Sequence, residues 1–151
     1  FYYKFNLFYD LMPWYGTKAC KKKKLVSLSW LRNLKNKQYP FWRLDTLFSK
    51  TKHTNLQIVE NGGWHFTNLK TAEEIHTKLS NFGHHNEFDV SGVTVKDIQK
   101  CIDNRIVNYN HQADQSADNK YTANYQLQLI EDKILPKYLI SNKQNLKEWF
   151  D

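Results

Sequence analysis

The stretch Val59–Phe82, "VENGGWHFTNLKTAEEIHTKLSNF", sets a carboxylate, two adjacent glycines, a tryptophan and a histidine directly ahead of a helical pattern. Thr71 and Glu74 have the spacing of a capping box, and Ile75, Leu79 and Phe82 recur on one helical face, which predicts a helix over 71–82. Upstream, "LQIVE" (56–60) reads as a buried strand that ends at a Gly62-Gly63 turn. Paired glycines let a backbone bend sharply and let a ligand approach with no Cβ in the way. Two arrangements satisfy these residues. In the plainer one the glycines serve a tight turn, Glu60 is solvated, and Trp64 and Phe66 fill core. In the other the turn is the rim of a site. Glu60 would take a proton from an incoming hydroxyl, Trp64 would stack on the apolar face of a sugar ring, and His65 would donate to a phosphate or ligate a divalent ion. The residue types alone favour the plainer arrangement.

Working outward, a second helix is predicted over "TVKDIQKCIDNRI" (94–106), with Thr94 as N-cap and Val95, Ile98, Ile102 and Ile106 as its apolar stripe. The polar run "NHQADQSADNK" (110–120) reads as a loop and "YQLQLI" (125–130) as a strand. Pro136 starts a turn or helix in the closing segment, where Leu146, Trp149 and Phe150 offer a docking patch. On the other side, "FYYKFNLFY" (1–9) alternates like a strand and is followed by the turn signals Asp10 and Pro13. "WYGTKAC" (14–20) and "KLVSLSW" (24–30) read as short strands, "LSWLRNLKN" (28–36) as the start of a short helix, and "YPFWRLDTLF" (39–48) as irregular. No repeat or linker divides the chain, so residues 1–151 read as one α/β or α+β domain, or part of one. The abrupt opening on "FYYKFNLFYD" reads like the middle of a strand and points to a longer parent protein.

At 151 residues, the chain is long enough for a real hydrophobic core, and its 15% aromatic content makes rings a large part of the buried area. The formal charge of +7 suits anionic partners: nucleic acid, an acidic membrane surface or a nucleotide diphosphate. Much of the excess lies in runs such as Lys21-Lys22-Lys23-Lys24, which are more often a solvated edge than a site. Cys20 and Cys101 are far apart and in no metal-ligand spacing, so a reducing compartment is the simpler assumption. No apolar run reaches the length of a membrane span, and no signal-peptide pattern is visible.

Phosphate-cradling glycine loops and zinc-type Cys/His spacings are absent from the sequence. His84-His85 followed by Glu87 invites a metal, but adjacent histidines at a helix junction seldom point at one ion, and a structural pair of His84 with Glu87 closing the helix end is the better expectation. His53, His76 and His111 read as surface residues, and Cys101 as core filler.

One block is more specific. Gly63, Trp64, His65, Phe66 and Thr67, followed by Lys78, Leu79, Phe82, His84 and Glu87, resemble the most recognisable pattern of glycosyltransferase family seventeen. That pattern is Gly-Trp-His-Phe-Ser, a helix with Lys-Leu, then Ser-Phe-Ala-His and an acid. "YYKFN", "WYGTKA" with Leu31-Arg32, and the closing "ILPKYLISN" are similar to further segments of that family. Thr67 and Gly83 depart from its usual Ser and Ala. The resemblance spans most of the chain and is specific over residues 60–88.

It implies the C-terminal, acceptor-side part of a GT-A-like fold, α/β with a mixed sheet and flanking helices. The activity implied is inverting transfer of an N-acetylglucosamine-type sugar from a UDP-sugar to an acceptor sugar hydroxyl, as in the β-1,4-mannosyl-glycoprotein β-1,4-N-acetylglucosaminyltransferases. Glu60 is then the candidate base, Gly62, Gly63 and Trp64 the sugar-side contacts, His65 a phosphate or metal contact, and Arg32, Arg43 and His84 further substrate contacts. Mn²⁺ or Mg²⁺ is expected for the intact enzyme. The acidic metal motif of the family normally precedes this region, and the lone Asp45 does not replace it, so little catalysis is expected of these 151 residues alone. The implied partners are a UDP-sugar and a glycan acceptor, with no nucleic acid, and with membrane association through regions outside the chain. The implied location is the cytoplasm or cytoplasmic membrane face for a bacterial or viral relative and the Golgi membrane for a eukaryotic one. Two rivals remain: a basic nucleic-acid-binding module, suggested by Trp14, Trp30 and Trp42 among lysines, and a non-catalytic glycan-binding domain.

Overall fold

The computed structural model describes residues 1–66, 68–81, 85–110, 121 and 125–151. They form two compact units: an inserted unit, Pro13–His65, and a discontinuous unit made of Phe1–Met12 and Phe66–Asp151. In chain order the α-helices are α1 (Leu28–Asn33), α2 (Asp45–Phe48), α3 (Ala72–Ser80), α4 (His85–Ser91), α5 (Val95–Asp103) and α6 (Lys137–Ser141). The strands are β1 (Leu7–Phe8) and β2 (Gln128–Leu129), antiparallel with Leu7 opposite Leu129 and Phe8 opposite Gln128.

The discontinuous unit holds the core. Tyr2, Tyr3, Leu7, Ala72, Ile75, Phe88, Ile98, Val107 and Leu127 are buried together. α3 and α5 each present one apolar face to it, Ile75 and Ile98 being the buried members. Both helices begin in full capping boxes, Thr71 with Glu74 and Thr94 with Asp97, so the orphan amides of their first turns are met by side chains. The two N-termini lie where the sequence put them. α5 stops three residues short of the apolar stripe because Arg105 turns left-handed (φ +55°). Arg105 N–H then donates to Ile102 O (3.0 Å) and Ile106 N–H to Cys101 O (2.8 Å), the paired bonds of a Schellman cap. Ile106 leaves the helix and pairs antiparallel with Gln126. Val107 N–H to Tyr125 O (2.9 Å) and Leu127 N–H to Arg105 O (2.7 Å) extend that pairing toward β2. Of the helical stripes, Phe82 lies outside the described residues, as does the polar run from residue 111 to residue 120.

The opening segment departs from the nine-residue strand its alternation predicts. Tyr3 has a φ of +62°, so the chain curls back and Tyr2 N–H reaches Leu7 O at 3.1 Å, leaving only Leu7–Phe8 as ladder. Tyr3 is 1% exposed. Its hydroxyl donates to Ile106 O (3.0 Å) or Asn108 Oδ1 (3.2 Å) and accepts from Asn108 N–H (3.2 Å). Tyr2 pairs in the parallel sense with Asn68, whose carbonyl takes Tyr3 N–H at 2.9 Å. Phe5 N–H donates to Trp149 O (2.8 Å) and Asn6 exchanges two hydrogen bonds with the Asp151 backbone, 2.9 and 3.1 Å, so the closing segment docks on the opening one.

The inserted unit is built differently. Leu34 is its one buried apolar side chain. The strands expected at 14–20, 24–30 and 56–60 do not form: Val26, Leu28 and Val59 are 70–78% exposed, and a strand needs both a paired neighbour and a face to bury. Ser27 instead caps α1, its Oγ accepting from Trp30 N–H at 3.0 Å, which bears out the short helix read from residue 28. Long-range ties come from side chains that capture backbone: Lys18 Nζ to Arg32 O (2.8 Å) and Leu34 O (2.6 Å), Trp30 Nε1 to Lys50 O (2.7 Å), and Gln38 Nε2 to Leu56 O (2.8 Å).

Tyr3→Phe removes the hydroxyl and leaves the Asn108 amide without its acceptor in the core. A stability loss of about 1–3 kcal/mol is expected, read as a lower urea midpoint at unchanged slope.

Candidate functional site

Seven of the eight sequence-derived candidates, Arg32, Arg43, Glu60, Gly62, Gly63, Trp64 and His65, belong to the inserted unit, and the eighth, His84, lies outside the described residues. The turn at 60–61 is made by Asn61, not by a glycine. Asn61 has φ +52°, and Gly92 is the one positive-φ glycine among those described. Asparagine tolerates the left-handed region because its short side chain bonds locally. Of the two adjacent glycines, Gly62 alone answers to space. A Cβ on Gly62 would sit 3.3 Å from Val59 O, whereas a Cβ on Gly63 would meet nothing within 4 Å. The backbone at Gly63 is open to approach.

Around this turn Glu60 is exposed and makes no hydrogen bond or ion pair among the described residues. Trp64 is 46% exposed, which leaves about half of its indole surface in solvent. His65 is half-buried, its imidazole stacked on the Trp14 indole with centroids 3.8 Å apart and planes 15° from parallel. Stacking at that distance fixes the ring plane of His65. Trp14 is a neighbour of His65 that sequence spacing could not supply, being 51 positions away in the chain.

The Trp14–Lys18 segment also reaches Arg32. Tyr15, Gly16 and Lys18 line an open cleft of about 470 Å³ together with Leu28, Leu31, Arg32 and Asn36. Gly16 is needed here for space: its absent Cβ would lie 2.2 Å from the Trp14 ring. One five-residue segment thus touches His65 at one end and the Arg32 cleft at the other. Lys18 joins α1 by donating to its last carbonyls, a favourable place for a cation at a helix C-terminus.

Arg43 is held elsewhere. Its fork grips Asp45 through two bonds of 2.7 Å, Lys52 adds a third at 2.8 Å, and the Tyr39 ring lies 5.6 Å from the guanidinium carbon. The Arg43 bonds first and the Lys52 bond second hold the Asp45 carboxyl well below the usual carboxylate range. A depressed folded pKa means the pairing is complete above the ordinary aspartate pKa of about 4 and is lost only as pH falls below it.

Among the described residues no three His, Cys, Asp or Glu side chains lie together as a metal-binding group, so the divalent cation that the resemblance implies has no ligand set among them. His65 is the one imidazole beside the turn. Of the histidines read as surface residues, His53 is half-buried with an Nε2 that is enclosed and has no hydrogen-bond partner. His76 meets the Phe88 ring edge-on at 5.2 Å, and His111 is outside the described residues. Glu87 sits on α4, half-buried. No protein-family model, curated protein or solved structure matches the chain.

Gly16→Ala should swing the Trp14 ring off His65, because the new methyl takes the space of that ring. The His65 ring-proton resonances are expected to lose their stacking shift, with global stability changed by less than about 1 kcal/mol because Trp14 is largely exposed. Trp14→Leu should reproduce the spectrum.

Proposed function

We propose that this chain is the acceptor-side part of an inverting sugar transferase that moves an N-acetylglucosamine-type sugar from a UDP-sugar to a sugar hydroxyl. The observation that carries it is the exposed turn of Glu60–His65. A carboxylate with no partner among the described residues, an open glycine backbone, a half-exposed indole and a plane-fixed imidazole occur within six residues of one another. Gly63, Trp64 and His65 are also among the residues that carry the resemblance to glycosyltransferase family seventeen.

The chemistry follows from what each group can do. Glu60 accepts the proton of the acceptor hydroxyl as its oxygen forms a bond to the anomeric carbon. The bond from that carbon to the diphosphate oxygen breaks on the opposite face, and UDP departs with the electron pair, which inverts the configuration. Trp64 offers a flat apolar surface to the C–H face of the acceptor ring, and Gly63 lets that ring come close to the backbone. His65, clamped by Trp14, presents a ring N–H to developing phosphate charge. Of the two arginines, Arg32 suits phosphate better, since it is exposed beside Lys18 in a cleft, whereas Arg43 would first have to release Asp45. A divalent cation, when bound in the intact enzyme, supplies charge neutralisation at the leaving diphosphate.

Two measurements bear on this. Saturation-transfer NMR of the 151-residue chain with N-glycan oligosaccharides should show acceptor contact, abolished by Trp64→Ala and retained in Glu60→Gln. In a protein that also includes the upstream region, assayed with UDP-N-acetylglucosamine and Mn²⁺, Glu60→Gln should lower kcat by about 10²–10⁴-fold. Full activity in that variant would remove Glu60 as the base.

A further inference from the structure

The charge of the chain is not evenly spread. Pro13–His65 carries eleven Lys and Arg against two acids, Asp45 and Glu60, a net +9, while the rest of the chain carries eleven against thirteen, a net −2. The same unit leaves a run of large apolar side chains in solvent: Phe41 (86% exposed), Trp42 (67%), Leu44 (71%), Leu47 (76%) and Phe48 (88%). An apolar run of this exposure is unusual for a protein surface with nothing to bind.

The local structure explains how the segment stays folded with its apolar groups outward. Its polar groups are turned on one another: Arg43 N–H donates to Pro40 O (3.1 Å), Thr46 Oγ1 to Arg43 O (2.6 Å), and Asp45 is shared by Arg43 and Lys52. Tyr39 lies against both cations. With those hydrogen-bonding groups satisfied, the side chains left to meet a partner are mostly rings and branched aliphatics. In the same unit the Lys21–Lys24 turn is wholly exposed and basic.

We infer that the inserted unit docks on an anionic lipid surface, its lysines drawn to the headgroups and Phe41, Trp42, Leu44, Leu47 and Phe48 entering the interface. The charge complementarity selects an acidic partner. The aliphatic members select lipid over nucleic acid: stacked bases offer a platform for Trp42 but none for Leu44 or Leu47, whereas the headgroup–acyl boundary accepts both. No helix among the described residues is long and apolar enough to cross a membrane, so the contact is interfacial. This inference stands apart from the transferase reading, and either can fail without the other.

Co-sedimentation of the 151-residue chain with phosphatidylcholine vesicles, with and without phosphatidylglycerol, tests it. Binding is expected to anionic vesicles at low salt and to fall steeply with added salt. Neutralising Lys21–Lys24 to Gln should weaken it by about fivefold for each lysine. Trp42→Ser and Phe48→Ser should each weaken it on the order of tenfold, with circular dichroism unchanged because both side chains are exposed. Brominated lipid should quench fluorescence in the parent chain and less so in Trp42→Phe. Several outcomes would overturn the proposal: no binding to anionic vesicles at low salt, equal binding to neutral ones, or vesicle binding indifferent to Phe48→Ser. Two others would as well. One is an oligonucleotide that binds regardless of Phe48→Ser and displaces the vesicles. The other is self-association that Phe48→Ser abolishes while vesicle binding persists.

Discussion

Tyr3 holds a left-handed backbone, a nearly inaccessible ring and a hydroxyl bonded to the peptide groups at 106 and 108, more than a hundred positions away. Those three facts depend on one another. A non-glycine residue at positive φ costs on the order of 1 kcal/mol, and burial pushes the phenol far above its ordinary pKa because a charged phenolate has no solvent there. The hydroxyl bonds and the ring packing offset that strain. Once Tyr3 is fixed, Tyr2 falls beside Asn68, Leu7 beside Leu129, and the amide of Phe5 beside the carbonyl of Trp149. The left-handed cap at Arg105 does the complementary work. It ends α5 and aims Val107 into the core from the other side, while the Arg105 side chain pairs with Asp151 at 2.6 Å.

The inserted unit shows the opposite economy. With Leu34 as its only buried apolar side chain, little hydrophobic burial shapes it. Lysine, tryptophan and glutamine side chains reach across loops to backbone carbonyls, and those bonds tie its segments together. A unit made this way gets its precision locally. The Trp14–His65 stack and the space left at Gly16 are interdependent, so the ring plane of His65 is set by a glycine 49 positions earlier.

What was legible in the sequence follows the same division. Thr71 with Glu74, and Thr94 as an N-cap, are local signals, and both caps lie where the sequence places them, because capping is decided within four residues; the Asp97 half of the second box is added by the structure. The stripe of Val95, Ile98 and Ile102 was legible for the same reason, since helical periodicity and core burial agree there. Alternation misled at 1–9 and at 56–60. In the first, a tertiary anchor at Tyr3 overrides the pleat. In the second, "LQIVE" finds no partner strand and Val59 stays 70% exposed. The glycine pair was read as the hinge of the turn, yet Asn61 supplies the left-handed step, a role its side chain permits but does not announce. Glu60, Trp64 and His65 lie within six positions of one another, so their nearness follows from the sequence alone. Trp14 was not visible as their neighbour, because no local rule links positions 14 and 65.

The pairing of the opening segment with the far end of the chain also sets an order of events. Leu7 meets its ladder partner only at Leu129, and Asn6 is satisfied only by the backbone of Asp151. Residues 1–12, four of them buried in the finished fold, therefore lack those partners until more than a hundred further residues have been added. The capped α3 and α5 can form early on local bonds alone, but the core they face closes last. Such a topology folds slowly for its size, since loop-closure entropy must be met before the non-local contacts return anything.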